Sequence, residues 1–230
     1  MPIFEFYYII RQREFLNNKR GVTVTQILTI HPKDPQLRLI ANAVTVLLEG
    51  GVIIYPTDSS YALGCKIGAK DAISRIRQIR SLDQSHNFTL ICEDLSGIAK
   101  YAQVSNEVFR FLKASTPGPY TFILQATKEV PKMLQHPKRK TIGIRIPDNN
   151  VVKALLKELG EPLLSVSLIL PEIETEVFSN LDEIKEQIDG RVDVIIDGGN
   201  CGNQPTTVVD FTEGYPKILR EGKGSVALFG

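Results

Sequence analysis

The segment PLLSVSLILP, residues 162–171, is apolar almost throughout, yet it carries two serines two positions apart, Ser165 and Ser167. Read as a strand, it places Ser165, Ser167 and Ile169 on one face and Val166, Leu168 and Leu170 on the other. A buried hydroxyl without a partner is costly, so what the serine face meets has to be explained.

Outward from this strand, the chain alternates short β-branched runs with amphipathic segments. Residues 25–30 alternate as a strand that His31-Pro32 breaks, and PQLRLIANAVTVLLEGG (35–51) has helical spacing ended by glycines. GVIIYPTDSSYALGCKI (51–67) reads as strand, turn and strand, with Pro56-Thr57-Asp58-Ser59-Ser60 supplying the turn chemistry. A basic amphipathic helix over 70–80 precedes the strand HNFTLICED (86–94), and a further helix is expected over 105–114. TPGPYTFILQA (116–126) turns into a strand, TIGIRIP (141–147) is a short strand, and VVKALLKELG (151–160) is a helix ended by glycine. After the quoted strand come a helix, LDEIKEQIDG (181–190), and the strands VDVIIDGG (192–199), PTTVVDF (205–211) and PKILREG (216–222). Strands and helices mix without a strict βαβ repeat. The expectation is an α/β domain over 24–230, a twisted mixed sheet with packed helices rather than a doubly wound fold.

At 230 residues and 43% hydrophobic, the chain has enough apolar material for one good core. A formal charge of +1 argues against bulk attraction to nucleic acid while leaving room for a local basic groove. Cys65, Cys92 and Cys201 are too few and too scattered for a disulfide frame or a zinc knuckle, and read as reduced thiols. In the first 23 residues the apolar run is too short to span a bilayer, and Arg11, Arg13, Lys19 and Arg20 follow it rather than precede it. Residues 1–23 are therefore expected to be a surface helix or tail, with translation starting at Val24 as the sharper alternative, and a cytoplasmic, membrane-free protein is expected.

No phosphate loop, dinucleotide fingerprint or nucleophile elbow is present, and His31, His86 and His136 do not suggest a metal cage. What remains is polar residues at strand ends. Thr57, Asp58 and Ser59 follow one strand, where a turn held by its own side chains explains them as well as a ligand does. Arg145 lies in an apolar strand and needs a partner, either a structural ion pair or an anionic ligand. Thr206, Thr207 and Arg220 pose the same choice. Together they describe a hydroxyl-rich, arginine-flanked concavity suited to phosphate and carboxylate groups.

YPTDSSYALGC, TPGPYTFIL, KRKTIGIRIP, PLLSVSLILP, QPTTVVDF and ILREGKG occur in the order of the YrdC family and most closely resemble its YciO-like branch, over about residues 25–225. The resemblance implies a YrdC-like domain around a large, concave, basic surface. It also implies synthesis of threonylcarbamoyl-AMP from ATP, bicarbonate and L-threonine, with pyrophosphate released and the product used in tRNA modification. ATP would arrive with Mg²⁺ as substrate, and no protein-bound metal site is expected. The implied substrate- or nucleotide-binding residues are Thr57, Ser59, Tyr61, Arg80, His86, Arg145, Ser165, Ser167, Thr206 and Arg220, with no residue singled out as a catalytic acid or base.

Two departures stand out. Where the synthase branch carries lysine-x-arginine, this chain reads Arg80-Ser81-Leu82; where it carries serine-x-asparagine, Ile169 replaces the amide. The serines would face the ligand cavity with Ile169 on the same wall, so synthase activity is expected to be altered or weak. The alternative is a non-catalytic protein that binds double-stranded RNA or associates with the ribosome, using Arg75, Arg77, Lys138, Arg139 and Lys140.

Overall fold

The β-branched runs do assemble into one sheet. The computed structural model describes residues 24–83, 86, 88–136, 138–170 and 181–229, so the expectations for residues 1–23 lie outside it. In chain order the elements are β1 (Gln26–Thr29), α1 (Leu37–Leu48), β2 (Val52–Pro56), β3 (Tyr61–Lys66), α2 (Lys70–Ile79), β4 (Thr89–Ile91) and α3 (Ile98–Tyr101). They continue with α4 (Asn106–Ser115), β5 (Tyr120–Gln125), β6 (Thr141–Arg145), α5 (Asn150–Leu159), β7 (Leu163–Ser167), α6 (Leu181–Ile188), β8 (Val194–Asp197), β9 (Thr207–Asp210) and β10 (Lys217–Arg220). The short helix α3 had no counterpart in the sequence reading, because four residues are too few to show a helical period.

The strand order is β1-β8-β2-β3-β7-β4-β6-β5-β9-β10. Pairing is mixed, as expected: β1/β8, β2/β8, β4/β6 and β5/β9 are parallel, whereas β2/β3, β3/β7, β4/β7, β5/β6 and β9/β10 are antiparallel. The quoted segment forms β7 near the middle, with Ser165 opposite both Gly64 and Thr89. Its apolar character on both faces follows from its place, because helices cover both sides. On one side Ile73, Ile76 and Ile79 of α2, Val108 and Leu112 of α4, and Leu181, Ile184 and Ile188 of α6 pack against Leu63, Leu164 and Val166. On the other side Ile40, Val44 and Leu47 of α1 and Val151, Val152 and Leu155 of α5 pack against Ile53, Tyr55 and Leu163. Each fully buried aliphatic side chain contributes about 1.5–3 kcal/mol, so the two layers anchor the strand ends that carry the polar residues.

Local chemistry sets the helix starts. Ser105 caps α4 by accepting the Val108 amide at 3.3 Å, and Asn149 caps α5 by accepting that of Val152 at 3.1 Å. Asn149 directly follows the β6 segment, so its cap also fixes where the chain leaves Arg145.

Candidate functional site

The turn after β2 is built on one hydroxyl. Thr57 Oγ1 donates to the Ser60 carbonyl at 2.6 Å and accepts the Ser59 and Ser60 amides at 3.1 and 3.2 Å. That is the self-contained turn expected of threonine and serine. Arg145 then docks on it. Its Nη2 donates to Ser59 Oγ at 2.9 Å and Thr57 Oγ1 at 3.2 Å, and it forms an ion pair with Asp58. Both side chains of that pair are nearly buried, with 7% and 10% exposed. Asp58 Oδ2 also accepts the Asp148 amide at 3.0 Å, tying the turn to the exit of β6. Of the two choices posed for Arg145, the structural ion pair is present. It is buried, so removing either partner leaves an uncompensated charge. Arg145 Nε is buried with no hydrogen-bond partner.

This cluster borders a cavity of about 480 Å³ lined by Thr57, Asp58, Pro117, Gly118, Pro119, Asp148, Asn200, Cys201, Gly202 and Lys223. Lys223 Nζ donates to the Asp58 carbonyl. Gly202 is required where it stands, because a Cβ there would lie 2.6 Å from the Ser59 carbonyl oxygen. Beneath the turn, Tyr61 donates its hydroxyl to the Gly199 carbonyl at 2.8 Å, and burial holds its phenol well above the ordinary range. Burial also pushes the Cys201 thiol up to about 11, so it is not a thiolate nucleophile at neutral pH. Among the described residues, no group of three or more His, Cys, Asp or Glu side chains could hold a metal ion, and no helix is long and apolar enough to cross a membrane.

Comparison with known proteins agrees with this architecture. Residues 45–222 match the Sua5/YciO/YrdC family, described as telomere recombination. The chain is 54% identical over 207 residues to the uncharacterised Escherichia coli protein YciO, covering 90% of this chain and 100% of that protein. It belongs to the Sua5/YciO/YrdC family. The crystal structure of E. coli YciO superposes with a TM-score of 0.86 at 53% identity, covering 90% of this chain and 100% of that one. A threonylcarbamoyl-AMP synthase from Pseudoalteromonas translucida is 32% identical over 187 residues, covering 79% of this chain and 96% of that protein. The kinship is thus close to YciO, with the synthase more distant.

The positions singled out by family resemblance separate into distinct environments. Ser165 is a core hydroxyl at 3% exposure, and it is not among the residues lining the cavity. It donates to the Leu63 carbonyl at 3.0 Å and lies 2.6 Å from the Tyr55 hydroxyl. With its proton engaged by Leu63, Ser165 accepts from Tyr55, whose phenol burial pushes up to about 12. The expectation that both serines face the cavity is therefore corrected for Ser165, which lies under the α1 and α5 layer. Ser167 and Ile169, further along, are half-buried. The Ile169 carbonyl accepts Arg80 Nη1 at 2.7 Å, and Leu82 packs against the main core. His86 is pushed below its ordinary value by burial and then by Arg80 and Arg77. Its imidazole is neutral at pH 7 and supplies no replacement cation.

Thr206 Oγ1 lies 2.8 Å from Thr121 Oγ1 in a neighbouring strand, and Arg220 donates to the Thr206 carbonyl at 2.9 and 3.1 Å. Several basic candidates also have internal partners. Arg75 pairs with Asp193 at 2.7 Å, Arg139 pairs with Asp210 at 3.1 Å, and Arg77 donates to the Asp83 carbonyl and lies 5.0 Å from the Phe88 ring centre. Lys138 and Lys140 remain exposed. Helix α2 packs over β2 and β3, whereas the 138–140 turn joins at β6, beyond β7 and β4 in the sheet. Sequence reasoning overlooked Lys223, Cys201, Gly202 and Asp148.

Proposed function

We propose that this chain is a nucleotide-binding enzyme of the threonylcarbamoyl-AMP synthase type, acting in the cavity bordered by the Thr57–Ser60 turn. The observation that carries this reading is the buried Arg145–Asp58–Thr57–Ser59 cluster on the rim of that cavity. It gives a rigid, hydroxyl-lined edge of the kind that positions a phosphorylated substrate. Kinship to a protein named as threonylcarbamoyl-AMP synthase supports the choice of reaction.

In that reaction bicarbonate takes up a proton and yields carbon dioxide and water, and the threonine amine captures the carbon dioxide as a carbamate, giving up a proton in turn. A carbamate oxygen attacks the α-phosphorus of ATP, and the bond to pyrophosphate breaks. Threonylcarbamoyl-AMP and pyrophosphate leave, with Mg²⁺ entering on the nucleotide as part of the substrate. The protein's work is to hold a carboxylate beside a polyphosphate and to stabilise the charge that moves between them. Thr57 and Ser59 supply hydroxyls at the rim, Tyr61 supports the loop beneath, and Ser167, Arg80, Thr206 and Arg220 belong to the same proposed binding set. Arg145 acts by locking the turn, since Asp58 already neutralises it.

Leu82 and Ile169 place apolar side chains where the synthase pattern has polar ones. Each lost charge-assisted contact is worth about 1.5–3 kcal/mol, which slows turnover by one or more orders of magnitude. The test is pyrophosphate release with ATP, bicarbonate, Mg²⁺ and L-threonine, comparing wild type with the Leu82→Arg/Ile169→Asn double variant. Slow, threonine-dependent release by wild type and faster release by the variant are expected. Release by neither protein overturns the reading, and salt-sensitive binding of double-stranded RNA through Lys138 and Lys140 then becomes the function to measure.

A further inference from the structure

We propose that Lys223 is the anion anchor of the cavity and that the group it holds is a phosphoryl group of the bound nucleotide. The proposal rests on reading the cavity as a nucleotide site and names the residue that would supply its net charge.

The loop carrying Lys223 is held from both sides of that residue. The Lys223 amide donates to the Pro205 carbonyl at 2.9 Å, and the Gly222 amide donates to Thr207 Oγ1 at 2.9 Å. Thr207 Oγ1 donates onward to the Gly224 carbonyl at 2.6 Å, and the Tyr120 hydroxyl donates to the Ser225 carbonyl at 3.1 Å. Gly224 lies against the Tyr120 ring so closely that a Cβ would come within 2.3 Å of it. None of these bonds involves the lysine side chain. Backbone, hydroxyl and ring contacts therefore fix the Lys223 backbone at the edge of the cavity, and the Asp58 carbonyl holds its ammonium there, which lowers the ordering cost of binding.

The charges around the cavity then single it out. Asp58 is paired with Arg145, and Asp148 lies 3.4 Å from Lys153. Lys223 makes no ion pair among the described residues, and its one protein partner is the neutral carbonyl of Asp58. An ammonium has three donors, so two remain to be directed into the cavity. With Asp58 and Asp148 paired, Lys223 is the cation that lines the cavity, while Asp197, whose charge is felt at Cys201, accepts the Gly199 amide. An ammonium with free donors suits phosphoryl oxygens, and an arginine at the same place would serve them too.

The test titrates inorganic pyrophosphate and, separately, L-threonine into full-length wild type, K223M and K223R by calorimetry. Wild type should bind pyrophosphate, K223M about tenfold more weakly, and K223R nearly as tightly as wild type. L-threonine affinity should be the same in all three proteins. Lys223 is exposed and its loop is held by other groups, so unfolding temperatures should coincide. Equal pyrophosphate affinity in wild type and K223M, no pyrophosphate binding by wild type, or a loss confined to L-threonine would each overturn the proposal. The synthase assay separates the two readings. Threonine-dependent turnover with an unchanged K223M affinity removes the anchor and keeps the enzyme, whereas K223M-sensitive pyrophosphate binding without turnover keeps the anchor and removes the synthase.

Discussion

Arg145 and Arg80 were nominated together by sequence, and the structure gives them opposite surroundings. Arg145 ends β6 among Thr57, Asp58 and Ser59, with a carboxylate to neutralise it. Arg80, just past the end of α2, donates to the Ile169 carbonyl at 2.7 Å and has no carboxylate partner among the described residues. Burial draws the Arg80 value below its ordinary one, and its Nε is buried without a hydrogen-bond partner. One guanidinium is part of the fold's internal wiring; the other, without a carboxylate partner among the described residues, lies beside the strand exit that carries Ser167 and Ile169. Position in a polar motif therefore does not distinguish the two arginines, whereas the presence of a paired carboxylate does.

The comparison makes its largest prediction at Arg145. Arg145→Met strands the buried Asp58 carboxylate and should cost about 3–5 kcal/mol in urea unfolding, with Asp58→Asn in the same chain recovering part of the loss. A loss no larger than a surface substitution gives would abolish the distinction between the two arginines. Arg80→Met removes a single charged bond to a carbonyl and should cost only about 1–3 kcal/mol in the same unfolding assay. Its larger consequence should be on ligand, with ATP affinity by calorimetry falling about tenfold or more. Tyr55→Phe deletes one buried hydroxyl while Ser165 retains Leu63, and should cost about 1 kcal/mol without altering ATP affinity.

The smallest effect is electrostatic. His86 has a folded value below 6.5, lowered by burial and by Arg80 and Arg77, so the unfolded chain binds its proton first as pH falls. The unfolded state holds more protons there, so stability rises with pH in that window and is lost progressively below pH 6.5. His86→Gln should flatten that part of a melting-temperature profile. In Arg80→Met the His86 titration followed by NMR should move up but stay below 6.5, because burial is the larger cause, while Arg145→Met should leave it unmoved. A shift in Arg145→Met instead would mean that the two environments are coupled.

Legibility in sequence followed the range of the interaction that decides each feature. Helices α1, α2, α4 and α5 showed their apolar spacing, because that signal lies within a turn or two. The 57–60 turn was legible for the same reason: Thr57 meets Ser59 and Ser60, its near neighbours. Alternation along β7 set which residues share a face, but not which helical layer each face would meet. Ser165 was consequently assigned to a cavity although Tyr55, 110 positions away in the chain, receives it in the core. Lys223 escaped notice because a lone lysine in a glycine loop has no local signature; its meaning comes from Asp58, 165 positions earlier.

What the amino-acid sequence determined by itself was the elements other than α3, the mixed character of the sheet and the motif order that carries family kinship, all written in spacing and composition. What the tertiary structure decided was the pairing of charges. β2 and β6 are separated in the sheet by β3, β7 and β4, yet Arg145 reaches the turn after β2. Neutralisation depends on distances of a few ångströms between residues far apart in the chain, and no period or propensity encodes such distances.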